Sequence, residues 1–203
     1  LLTIPVTAPA PPVKNYNNNN IPATDPDYNI PMGQTWVNIN TIDADGLRRS
    51  SFKAWWMGLM INQERNIREK MTLFWHNHFA TETNEIGRAI WAYNNNALCR
   101  QNALGNFKQL VRAMTLDVAM LRYLNGYLNI STAPDENYAR EILQLFTMSE
   151  YRMDISGVLV KDRAGNLIRN YTNEDIKGLA RVFTGLQYAA GDGSTSINLH
   201  DPM

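Results

Sequence analysis

From residue 52 to residue 183 the apolar side chains recur in steps of three and four, a spacing that suits helices and little else. Phe52, Trp55, Trp56, Leu59 and Met60 follow the pattern i, i+3, i+4, i+7, i+8, and Ser50 or Ser51 just before them suits an N-cap. Further helices are expected over 67–79 and 87–102. Another should begin after Asn106, with Phe107, Leu110, Val111 and Met114 on one side, and a short one over 118–124 should stop at Asn125-Gly126. Pro134, Asp135 and Glu136 suit the first turn of a helix that turns Tyr138, Ile142 and Leu145 inward. Thr172, with Asp175 three residues on, caps the last helix, which carries Ile176, Leu179, Ala180 and Phe183 to a stop at Gly185. The apolar runs around Leu159 and Ile168 flank Asp162-Arg163-Ala164-Gly165, as in a small β-hairpin within 158–170. No internal repeat stands out. The expected fold is mainly α, an irregular multi-helix bundle with one small hairpin.

Residues 1–46 read differently. Pro-Ala-Pro-Pro at 9–12, four asparagines at 17–20 and prolines at 22, 26 and 31 forbid regular structure. This stretch is expected to be an extended arm on the surface of a helical domain spanning 47–203, pinned at its end by Trp36, Val37 and Ile39 and available to a protein partner. Nineteen basic residues balance nineteen acidic ones, so no broad field exists to draw in nucleic acid. No apolar run reaches the roughly 18 residues of a membrane helix. The one cysteine, Cys99, lies in a helical pattern and is expected in the core.

The run Phe74-Trp75-His76-Asn77-His78-Phe79 invites a two-histidine metal site, but helical phase divides it. With Ile67 at zero, Met71, Phe74, Trp75 and His78 fall at about 40°, 340°, 80° and 20°, and His76 near 180°. His78 is therefore expected on a buried face and His76 away from it. In the helix after Pro134, Asn137, Glu141 and Gln144 lie beside the apolar stripe, and Arg140 points about 100° from Glu141. A carboxylate at the edge of the core needs a cation, a histidine or a metal. Glu141 is placed to meet His78 across a helix contact, and His200-Asp201 form a loop pair whose composition suits a metal or acid–base site. Sugar stacking would fall to Trp36 and Trp91, because Trp55, Trp56 and Trp75 fit core stripes.

These blocks, together with Arg100-Gln101-Asn102-Ala103-Leu104-Gly105-Asn106-Phe107, Asp135-Glu136-Asn137-Tyr138-Ala139-Arg140-Glu141 and Tyr171-Thr172 through Thr184-Gly185, resemble successive signatures of the bacterial DUF1800 family. His200-Asp201-Pro202 resembles the start of its next block. The resemblance implies a mostly helical, exported protein, periplasmic, outer-membrane-associated or extracellular, commonly encoded beside a sulfatase-like partner. It also implies that the chain is a fragment of a longer family domain. The signature residues map onto His76, Asn77, His78, Asn137, Arg140, Glu141, His200 and Asp201. Two functions compete. One is a hydrolase-like enzyme with His78, Glu141 and His200 around a divalent metal, or with His78, Glu141 and Asp201 in acid–base roles. The other is a non-catalytic scaffold or subunit of a cell-surface complex.

Overall fold

The computed structural model describes residues 8–17, 21–39, 44–63, 65–188 and, for the backbone, 197–199. Helices dominate: α1 (Asp45–Asn62), α2 (Arg68–His78), α3 (Thr83–Ile86), α4 (Ala89–Gln101), α5 (Phe107–Thr115), α6 (Val118–Tyr123), α7 (Glu136–Gln144) and α8 (Asn173–Val182). A strand β1 (Leu186–Tyr188) pairs antiparallel with β2 (Ile197–Leu199). None of the described helices is long and apolar enough to cross a membrane.

Side-chain caps set the starts of α5 to α8. Asn106 accepts from Gln109 N, Asp117 from Met120 N, and Asp135 from Asn137 N. Thr172 and Asp175 form a reciprocal capping box. Asn125, in the left-handed region at φ 58, follows α6 as expected. Helix α1 departs from expectation. It begins at Asp45, and Ser51 lies inside it, buried. The Ser51 hydroxyl is taken by tertiary bonds instead: it accepts from Trp36 Nε1 at 3.1 Å and donates to the Val13 carbonyl at 2.6 Å. The helix expected from residue 87 starts at Ala89, because Gly87 (φ 85) ends the extra short helix α3.

Two apolar clusters share α4 and α6 and so form one body. One joins Phe79, Cys99, Leu110, Met120, Tyr138, Ile142, Phe146 and Phe183 across α4–α8. The other joins Ile30 and Trp36 of the arm to Phe52, Ile86, Trp91 and Val118. Leu145, expected inward, is 62% exposed, and Phe146 takes its place at 6%. Helix α7 ends at Gln144, and the amides of Leu145 and Phe146 both donate to the Glu141 carbonyl, so the chain turns one residue past the helical phase. Phe74 is likewise 53% exposed rather than in the core.

Gly126 sits where no side chain fits. A Cβ there would lie 2.9 Å from Leu121 Cδ2 and 2.9 Å from Tyr138 Cδ1. Tyr138 cannot retreat, since its ring is 1% exposed and its hydroxyl donates to the Thr115 carbonyl at 2.7 Å. Gly126→Ala is expected to cost about 1–3 kcal/mol by overpacking, read as a lower urea midpoint at unchanged slope.

The hairpin expected within 158–170 is part of a larger construction. Arg152 N donates to Ile168 O (2.8 Å), Ile168 N to Val160 O (3.2 Å), and Val160 N to Arg152 O (2.9 Å), closing a ring of three backbone bonds. The two tips match. Asp154 Oδ1 accepts from Ser156 N and Val158 N, and Asp162 Oδ1 accepts from Ala164 N and Asn166 N. Gly157 and Gly165 hold φ 79 and φ 89. The chain thus does carry a short internal repeat, with equivalent positions such as Asp154 and Asp162 eight apart. Only the Asp and Gly are shared by the two tips, too little to see by pattern.

Candidate functional site

Helix α2 is wedged between the two apolar clusters and buries two sides, which a single apolar stripe does not anticipate. Trp75, His78 and Phe79 turn toward Phe107 and Phe146. Glu69, Thr72 and His76 turn the other way, at helical spacing. Glu69 and Thr72 are buried, and Glu69 takes the Arg100 guanidinium bidentately from α4 at 2.6 and 2.9 Å. His76 packs edge-on against Trp56 of α1, with ring centroids 4.9 Å apart. It therefore faces away from His78 as expected, but into packing rather than solvent. Burial without a charged partner pushes its pKa below the usual histidine value.

His78 is half-buried at the last residue of α2, ringed by Trp75, Phe79, Phe107 and Phe146 at 4.7–6.2 Å between ring centroids. Its Nε2 lies 2.9 Å from the Phe146 carbonyl. A carbonyl only accepts, so Nε2 carries the proton, and in the neutral ring Nδ1 holds the lone pair. Phe146 thereby links both expected partners through its backbone: its carbonyl binds His78, and its amide donates to the Glu141 carbonyl. The Glu141 side chain makes no hydrogen bond or ion pair with His78 among the described residues. Asn77 is exposed. Asn137 is exposed too and reaches the Leu124 carbonyl at 3.4 Å. Arg140 pairs with Glu136 one turn back, at 3.0 Å. His200 and Asp201 lie outside the described residues. Within those residues, no three His, Cys, Asp or Glu side chains are gathered closely enough to hold a metal ion. Trp36 (0% exposed) and Trp91 (6%) are core residues, so neither is a stacking platform.

Three polar groupings escaped sequence reasoning. Lys14, Asp25, Asp27 and Arg48 are buried together and fasten the arm to α1. The Tyr171 hydroxyl is buried without a partner, in the field of Glu150, Arg140, Arg169 and Glu141, and burial pushes its pKa up. Asp117, under α6, is the third. Burial pushes its carboxyl up to about 6, against hydrogen bonds from Asn95 Nδ2 and the Met120 and Ala119 amides. The usable signal was the signature blocks themselves, which contain Arg100 and Tyr171. Nothing in periodicity marks Lys14, Asp25 or Asp117.

The family model described as "Protein of unknown function (DUF1800)" matches residues 14–203. The chain belongs to this family. The comparisons with curated proteins and with solved structures gave no match. The DUF1800 match begins at Lys14, the buried cation that anchors the arm, so the fastened part of the arm falls within the family region.

Proposed function

We propose that this DUF1800 chain is a non-catalytic scaffold or subunit of a bacterial cell-surface complex. The reading is supported by what the signature side chains are occupied with. His78 is bound to a carbonyl, Arg140 to Glu136, and Arg100 to Glu69. Asn106, Asp135, Thr172 and Asp175 serve as helix caps. The exported setting rests on the family resemblance. A partner would lie along the arm, whose inner side is held by buried ion pairs while Ile21, Tyr28, Met32 and Ile39 are 42–50% exposed.

Elemental analysis of the purified chain is expected to find no stoichiometric divalent metal. His78→Ala should cost about 1–2 kcal/mol in urea unfolding, from the lost hydrogen bond and ring contacts. A metal present at one per chain and removed by His78→Ala or Glu141→Ala would overturn this reading. It would also restore the second one, a hydrolase-like enzyme using His78 and Glu141. That alternative draws on one observation, the unpartnered Tyr171 hydroxyl within the field of Glu141.

A further inference from the structure

We propose that the cleft formed by α1, α2, α4 and the start of the arm binds a small organic oxyanion carried on a flat ring, with Arg68 as its cationic anchor. The cleft is lined by Pro9, Trp55, Arg68, Tyr93, Arg100 and Gln101, among others, and encloses about 110 Å³. That is less than the roughly 150 Å³ cavity that closes around benzene. One ring enters here because the cleft is open to solvent on one side, leaving the ring's outer edge wet.

The walls are fixed before any ligand arrives. Trp55 and Tyr93 stand 5.6 Å apart between ring centroids, tilted by 59°. Trp55 Nε1 donates to the Ala10 carbonyl at 2.8 Å, which sets the plane of the indole. The Arg100 guanidinium lies 5.0 Å from the Trp55 ring centroid. Arg100 is 6% exposed, and Glu69 holds it through two hydrogen bonds, so its charge is already balanced.

Arg68 differs in this respect. Its Nη1 makes one long bond, 3.4 Å, to the Arg100 carbonyl. Its Nε is buried and has no partner, and no carboxylate pairs with it among the described residues. A guanidinium N–H buried without an acceptor costs free energy that a bound oxyanion would recover, and the guanidinium fork suits a carboxylate or phosphate. The cleft therefore offers a positive charge with no paired carboxylate among the described residues, beside two aromatic faces. That combination selects a ring bearing a single acidic group over a neutral ring or a bare inorganic anion.

Titration calorimetry on the full chain with benzoate, phenyl phosphate, benzamide and inorganic phosphate tests this. Benzoate or phenyl phosphate is expected to saturate one site at roughly millimolar Kd or below, with benzamide and inorganic phosphate about ten-fold weaker or more. Arg68→Met should weaken the ring oxyanion about ten-fold or more while leaving the ligand-free unfolding midpoint in place. Arg68→Gln, which keeps a hydrogen-bond donor without the charge, should show the same loss and stands in if the first variant unfolds. The proposal is overturned if neither ring oxyanion saturates, if benzamide or inorganic phosphate binds equally well, or if binding survives in the folded Arg68 variant.

Discussion

Arg48→Met is expected to lower the unfolding free energy at neutral pH by about 3–5 kcal/mol, because it strands a buried carboxylate. Arg48 Nε and Nη2 reach the two carboxylate oxygens of Asp27 at 2.9 and 2.6 Å, and Nη1 donates to the Ile39 carbonyl at 2.5 Å. Asp27 is 2% exposed and Arg48 1%. Burial alone would raise the Asp27 pKa, but hydrogen bonds from Arg48 and Tyr16 outweigh it and hold the carboxyl below its usual value. A lowered folded pKa means that Asp27 contributes stability above the unfolded carboxylate pKa and loses it as pH falls through the folded one. The Arg48→Met defect should therefore shrink in acid. Thermal unfolding at pH 7 should show a midpoint lower by roughly 10 °C for a chain of this size. The double variant with Asp27→Asn should lose less than the two single losses combined, because the first removes what the second leaves unpaired. Additive losses would mean that Arg48 acts through the Ile39 carbonyl and its packing over Trp36, 5.7 Å from the ring centroid, and not through Asp27.

Asp117→Asn carries the opposite sign. The folded pKa of Asp117 is about 6, above its ordinary value of 3.8, so the native state holds this proton more tightly than the unfolded chain does. Stability from this group is complete below pH about 4, falls as pH rises from about 4 to 6, and stays reduced above that. Two pKa units correspond to about 3 kcal/mol. Asparagine keeps an oxygen to accept from Met120 N and Asn95 Nδ2 and carries no charge. Urea unfolding at pH 4 and pH 7 is expected to find Asp117→Asn close to the parent in acid and up to about 3 kcal/mol more stable at neutral pH. Equal pH dependence in both proteins would remove Asp117 as its source.

Helix positions were legible where an element carries its own stop: Asn106, Asn125 and Thr172 act where their chemistry places them, and Asp135 caps the helix whose first turn it was expected to join. What the phase of one stripe concealed was that α2 has neighbours on two sides. A helix with two buried faces need not make both apolar. Glu69 and Arg100 satisfy one another across the second face, so that face reads as polar and therefore as solvated. His76 lies on that second face, which one apolar stripe does not reveal as packed. The arm posed a similar difficulty. Among the described residues before Ala44 no helix or named strand forms, but Lys14 and Asp25 look like surface residues until the chain folds back and pairs them. Such pairings depend on which distant segments meet, and spacing along the chain carries no record of that.

The ring of bonds through Arg152, Val160 and Ile168 places a counting rule on this stretch of chain. The two arcs between ring positions are equal, and a register shift at one ring residue would break the two bonds it makes. Substitutions at exposed tip positions such as Ile155 and Val158 cost little, whereas Gly157 and Gly165 hold positive φ and resist them. The ring residues therefore fix the register of the segment, and its exposed tip positions vary in what they display. A segment built this way keeps its outline while its exposed side chains change.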